Sequence, residues 1–141
     1  MDLGAFLKQN VLPPEREELA LSSRFTDKSG EPALFLVEGI SEEENAALRL
    51  SCHRREKGVT VLDKERYLKK LAAACVRVPD LKDANLQASW GVLGEEDLLS
   101  KMLTAGEFAR LLEAVQRVCG FVSFEERKNA LKKSSAGETA N

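Results

Sequence analysis

The sequence predicts an α+β fold: a mainly α-helical single domain in which an N-terminal β-hairpin packs on an array of about four to six short helices. Three observations predict it. Apolar side chains recur every second position between residues 18 and 40. From Ser41 onward they recur every three to four. The helical part is punctuated by capping residues, glycines and Pro79, at intervals too short for long helices.

Asp2 can cap a short opening helix with Leu3, Phe6 and Leu7 on one side. Pro13-Pro14 then forbids continuation, because proline lacks the amide donor and restricts the residue before it. Leu19, Leu21, Ser23 and Phe25 alternate with Glu18, Ala20, Ser22 and Arg24, the period of a half-buried strand. Residues 26–32 form a turn, with Gly30 free to take a positive φ. The returning strand, 33–40, places Phe35 and Val37 on one face and Leu34, Leu36 and Ile40 on the other. A two-stranded hairpin is marginal alone, and a strand apolar on both sides calls for cover on both.

Ser41-Glu42-Glu43-Glu44 reads as a capping box whose acidic cluster suits the positive end of a helix dipole. This helix is predicted to run through Leu48 and Cys52 to Arg54, Arg55 and Lys57, with Gly58 as terminator and 59–62 as an extended connector. Asp63 caps the next helix, whose stripe is Tyr67, Leu68, Leu71, Ala72, Cys75 and Val76; Pro79 ends it. Asp83 caps a short helix carrying Leu86 and Trp90, and Gly91 and Gly94 close it. Glu95-Glu96-Asp97 opens another, with Leu98, Leu99, Met102 and Leu103 as its stripe. Thr104-Ala105-Gly106-Glu107 is a second capping box. It starts the clearest helix, through Phe108, Leu111, Leu112, Val115, Val118 and Cys119 to Gly120. Ser123 caps a last short helix to about Lys132. Residues 1–133 are thus expected to form one unit, with the hairpin at about 17–40 and helices at about 41–133, followed by a flexible tail at 134–141. The 79–94 joint is expected to orient the 67–76 helix against the 108–119 helix, with Trp90 wedged between them.

Composition narrows the function classes. A chain of 141 residues with 43% apolar and 31% charged residues has the balance of a soluble globular domain. A net charge of -2, with Lys and Arg interleaved among Asp and Glu, gives no electrostatic ground for nucleic acid, whose binders concentrate basic residues on one face. No apolar run approaches the ~20 residues that span a bilayer, and the first residues lack the basic leader and apolar run of a secretory signal. Three widely spaced cysteines, Cys52, Cys75 and Cys119, fit a reducing cytoplasm rather than a disulfide framework.

Candidate chemistry is sparse. Cys52 and His53 are adjacent, but consecutive helical residues diverge by about 100° and cannot share one site; neither zinc-ligand spacing occurs. His53 reads as a solvated helix position, while Cys75 and Cys119 lie in apolar stripes as small hydrophobes. The carboxylates at 42–44 and 95–97 sit at helix starts, where the dipole accounts for them. Gly91-x-x-Gly94 lacks the strand and the Gly-Lys-Ser/Thr ending of a phosphate loop. Arg54-Arg55 with Lys57 suits a helix C-terminus better than a phosphate backbone. Trp90 fits either a core position or a partner anchor. The doubly apolar strand fits either burial under the chain's own helices or a partner.

The ordered series of motifs resembles the XkdN-like tail assembly chaperones of long-tailed phages and prophages. It comprises Asp2-Leu3-x-x-Phe6-Leu7, Ile40-Ser41-Glu42-Glu43-Glu44-Asn45, Leu48-Arg49-x-x-Cys52, Tyr67-Leu68-x-x-Leu71 and Met102-Leu103-x-x-Gly106-Glu107. It is densest over Pro79-Asp80-Leu81-x-Asp83-x-x-Leu86-Gln87-x-Ser89-Trp90-Gly91, where the family pattern would have tyrosine in place of Trp90. The resemblance implies a non-catalytic cytoplasmic factor, absent from the finished virion, that binds the tape measure protein and helps recruit tail tube subunits. It implies no cofactor, metal, nucleic acid or membrane partner, leaves self-association open, and assigns no binding residues. Many such chaperones are also made in a longer, frameshifted form, for which Lys132-Lys133 could mark the slippery codons. Physically, a small acidic protein with a hairpin and apolar grooves could cover an amphipathic helix. The expected contacts are the Leu34, Leu36 and Ile40 face or a groove beside Trp90. The competing readings are an adaptor domain with another partner, an enzyme of unknown type, and a nucleic-acid regulator.

Overall fold

The 104–107 capping box starts the helix on which the rest of the molecule is assembled. In the computed structural model, which describes residues 2–121, this helix (α5, Ala105–Val118) is preceded by Thr104. The Thr104 hydroxyl accepts from the Glu107 amide, and the Glu107 carboxylate accepts from the Thr104 amide. Leu111, Ala114, Val115 and Val118 form the buried stripe of α5. It meets Leu71, Ala72 and Cys75 of α2 (Lys64–Cys75) and Leu98, Leu99 and Met102 of α4 (Glu95–Met102) in one apolar core.

The expected hairpin forms, but with shorter strands. β1 (Arg16–Leu19) pairs antiparallel with β2 (Phe35–Glu38), with Glu17 opposite Val37 and Leu19 opposite Phe35. The predicted strand through Leu21, Ser23 and Phe25 is not realised beyond Leu19. There the chain leaves the ladder because its side chains have better partners: Leu21 is buried in the core, and Ser22 and Arg24 reach Glu107. Phe25 packs edge-on against Phe35, with ring centroids 5.2 Å apart. On β2, Phe35 and Val37 are buried against the helices, as the period of two predicts.

A third strand, β5 (Val76–Val78), completes the sheet in the order β1-β2-β5. The sequence reads these residues as the end of a helix; instead α2 stops at Cys75 and Val76 enters the sheet directly. Val76 pairs with Val37 and Val78 with Leu36, so Arg77 is the extra residue of a β-bulge. The bulge turns Val76 into the core and leaves Val78 exposed, although two residues apart they would otherwise share a face. A cis Val78-Pro79 bond follows.

The helix predicted to run from Ser41 to Lys57 is also shorter. α1 (Glu42–Leu50) begins with the Ser41 hydroxyl accepting from the Glu44 amide. It ends where the Ser51 hydroxyl donates to the Leu48 carbonyl, 2.8 Å away. Residues read as a helix end and a connector instead pair as β3 (His53–Glu56) and β4 (Val59–Leu62), a separate two-stranded hairpin. Gly58 is a turn residue rather than a terminator. Lys57 and Gly58 both take positive φ, 53° and 79°, which is the type I′ geometry that matches strand twist. Buried Cys52 anchors the base of this hairpin, where its carbonyl accepts from the Asp63 amide. Asp63 caps α2 as expected. α1 and α2 are joined by the Tyr67 hydroxyl, which donates to the buried Asn45 side chain; Asn45 donates in turn to Glu42 at 3.0 Å. Partial burial pushes the Tyr67 phenol up.

Asp83 caps α3 (Ala84–Ser89) as expected, and Gln87 rather than Trp90 holds the 79–94 segment together. The Gln87 amide donates to the Leu81 carbonyl at 2.8 Å and accepts from the Gly94 amide at 3.0 Å, tying the chain before α3 to the start of α4. Trp90 is not wedged between helices: it is the C-terminal cap of α3 and is 36% exposed, while α2 and α5 pack on each other directly. The opening segment forms two 3-10 turns, Gly4–Phe6 and Lys8–Asn10, rather than an α-helix. The predicted last helix from Ser123, Lys132-Lys133 and the 134–141 tail lie outside the described residues.

Glu107 is a buried carboxylate. Its side chain is 1% exposed, and it accepts from the Ser22 hydroxyl, the Thr104 amide and the Arg24 guanidinium. The Ser22 hydrogen bond, followed by that of Thr104, holds its carboxyl below the ordinary 4.5. The folded form therefore binds its proton less tightly than the unfolded chain, so this contribution is present above pH 4.5 and lost as pH falls below it. In urea titrations, Glu107→Gln is expected to cost about 1–3 kcal/mol at neutral pH and to lose less stability than the wild type between neutral and acid pH. At the second hairpin, Lys57→Asn supplies the Asn-Gly pair favoured in type I′ turns and is expected to stabilise it by about 0.5–1 kcal/mol. Hydrogen exchange at the β3 and β4 amides should slow several-fold.

Candidate interaction surface

A three-stranded sheet covered by helices on one side leaves its other side to solvent. Leu19, Phe35, Val37 and Val76 point inward, and Glu17 pairs there with Arg117 of α5 through two contacts at 3.0 and 3.2 Å. Arg16, Glu18, Leu36, Glu38 and Val78 carry the opposite register. Leu36 sits at its centre, opposite Glu18 on one neighbour and Val78 on the other. Leu34, two residues earlier, is 48% exposed and Val78 is 47% exposed. Glu38 and Arg77 close one side of this apolar island with an ion pair at 3.2 Å. The arrangement is an apolar centre with a charged rim, the usual anatomy of a protein contact.

Two of the sequence-predicted contact residues, Leu34 and Leu36, thus lie on one strand face. Ile40 does not join them. β2 ends at Glu38, and buried Gly39 runs so close to the end of α5 that a Cβ there would meet the Val118 carbonyl oxygen at 2.3 Å. Ile40 consequently packs against the core. Trp90 lies on a separate element, close in sequence to fully projecting Leu93, 91% exposed. A shallow open cleft of about 520 Å³ beside it is lined by Gly91, Val92, Leu93, Asp97, Ser100 and Lys101. Val78 was not anticipated, because only the bulge at Arg77 brings it to this face.

The residues considered for chemistry are dispersed. His53 is exposed on β3 with Nδ1 3.1 Å from the Leu50 carbonyl oxygen, whereas Cys52 is buried. Arg54 and Arg55 lie on β3 and Lys57 in its turn, not at a helix end. Glu95 and Glu96 contact Lys82 and Lys70 at 3.9 and 3.8 Å across an open cleft of about 480 Å³. Among the described residues no three His, Cys, Asp or Glu side chains gather where they could hold a metal ion, and no helix is long and apolar enough to cross a membrane. Two thiols do meet: the sulfurs of Cys75 and Cys119 are 3.4 Å apart although 44 residues separate them.

Comparison with known proteins supplies the relatives. The family described as phage XkdN-like tail assembly chaperone protein matches residues 3–132. Uncharacterized protein YqbN of Bacillus subtilis (strain 168) is 25% identical over 126 residues, covering 85% of each chain. The phage-like element PBSX protein XkdN of the same organism is also 25% identical over 126 residues, again covering 85% of each. The crystal structure of YqbN superposes with a TM-score of 0.76 at 23% identity, over 86% of this chain and 98% of that one, and shows the same fold.

Proposed function

The chain belongs to the XkdN-like phage tail assembly chaperones, and from that premise we propose that it binds the tape measure protein through the open face of its sheet. Leu34 and Leu36 make the contact, with Val78 beside them, and Trp90 provides a second point on α3. The observation that carries this reading is the apolar island of Leu34, Leu36 and Val78 inside a rim of Arg16, Glu18, Glu38 and Arg77. An amphipathic helix laid on it would bury its apolar stripe on the leucines and meet charges of both signs at the edge. Holding the client in this way keeps a long helical protein from self-association, and the bound complex recruits tail tube subunits. The action is one of binding without catalysis or cofactor, in the host cytoplasm and before the virion is complete. Ile40 supports the strand from below rather than touching the client.

Co-expression with the tape measure protein encoded nearby tests the proposal. The wild type should co-purify with it and keep it soluble. The double variant Leu34→Asp/Leu36→Asp should keep its circular dichroism and melting behaviour, because neither residue is in the core, and lose roughly tenfold or more of the captured client. Undiminished capture by the folded double variant removes the sheet face from the contact. Loss on Trp90→Ala alone would then move it to α3, and failure of the wild type to capture any tape measure protein removes that client.

A further inference from the structure

The fold brings together two thiols that its assembly role does not use. Cys75 is the last residue of α2, immediately before β5, and Cys119 is the C-terminal cap of α5. Their sulfurs lie 3.4 Å apart, in hydrogen-bond contact. The two environments differ. Cys75 is fully buried, whereas Cys119 is part-exposed and lines a small open cleft of about 90 Å³ with Ile40, Ser41, Glu42, Asn45 and Phe121. The third thiol, Cys52, is buried at the base of the β3-β4 hairpin, outside the main core cluster.

We propose that Cys75 and Cys119 form a redox-convertible dithiol, which closes to an intramolecular disulfide by exchange with a low-molecular-weight disulfide, Cys119 being the attacking thiol and Cys75 the resolving one. The Cys119 thiolate attacks one sulfur of the small disulfide; a sulfur–sulfur bond forms to Cys119 and the other half leaves as a thiolate. The Cys75 thiol then gives up its proton to that thiolate and attacks the Cys119 sulfur, expelling the second half, which is protonated from solvent. Two protein thiols become one disulfide, and one small disulfide becomes two small thiols.

The contact between the two thiols acts in the sense these steps require. The hydrogen bond from Cys75, with another from the Ile40 amide, pulls Cys119 down towards its thiolate form against its partial burial. The same contact with Cys119, and then burial, pushes Cys75 up and keeps it protonated. The contact thus favours the thiolate on one sulfur of the pair, and part-exposed Cys119 is the one a small disulfide can reach. Closure requires the sulfurs to approach by about 1.4 Å. In a reducing compartment the pair rests as the dithiol. Once closed, it covalently joins the sheet end of α2 to the end of α5, and the cross-link raises stability.

The test uses the purified full-length chain and oxidised glutathione. The expected product has lost the mass of two hydrogens, retains one alkylatable thiol at Cys52, yields a Cys75–Cys119 cross-linked peptide, and melts several degrees higher than the reduced protein, reversibly with a reductant. Cys52→Ser should close as the wild type does. Cys75→Ser should stop at a stable glutathione adduct on Cys119, and Cys119→Ser should leave Cys75 unmodified. A persistent glutathione adduct on the wild type, a cross-link involving Cys52 or a second molecule, or three thiols still free would overturn the proposal. So would a Cys75→Ser protein, folded by circular dichroism, whose Cys119 takes no adduct.

Discussion

The structure depends on one buried carboxylate. Glu107 ends the capping box of α5, and the same two oxygens accept from Ser22 and Arg24, more than eighty residues earlier in the chain. Burying a charge is costly unless its hydrogen bonds are made, and here they come from a hydroxyl, a backbone amide and a guanidinium. Arg24 also reaches the Met102 carbonyl at the end of α4, and Arg110 donates to the Leu21 carbonyl at 3.0 Å. The connection between β1 and β2 is therefore held against the α4–α5 junction by polar contacts, while Leu21 and Phe25 fill the space beneath. With the Glu17–Arg117 pair, that tether fixes the angle of a short strand pair on the helices.

The second constraint is distance. The sheet approaches α5 so closely at Gly39 that no side chain fits there, and Val37, Val76 and Val118 all belong to the core formed where sheet and helices meet. The tight approach makes β2 a strand with one committed face and one free face, which is why a small domain can present exposed Leu34 and half-buried Leu36 beside a complete core.

Much of this was legible in the sequence, and the failures share a cause. The α+β class, the caps at Ser41, Asp63, Asp83 and Thr104 and the two faces of Phe35/Val37 and Leu34/Leu36 follow from local chemistry and periodicity, and the structure has them. The β3-β4 hairpin was hidden because His53-Arg54-Arg55-Glu56 has no apolar alternation and its turn puts lysine where asparagine or glycine is usual. β5 was hidden because Val76 continues the apolar stripe of α2; only the partner strand, forty residues away, makes it extended. Glu107 was recognised as a cap but not as buried, since nothing local announces Ser22 and Arg24. Ile40 was assigned to the leucine face by a period of two that stops at Gly39. The proximity of Cys75 and Cys119 is wholly tertiary, and neither stripe alone betrays it.

The direct passage from α2 into β5 has a mechanical consequence. Helix ends at Cys75 and strand begins at Val76, with no intervening loop, and the strand reaches the open face at Val78 after a single bulge. A load placed on that face at Val78 is therefore passed to the axis of α2 without slack. Because α2 packs on α1, α4 and α5, it reaches those three helices. The open face and the helical core are thus one short strand apart, along a single run of chain.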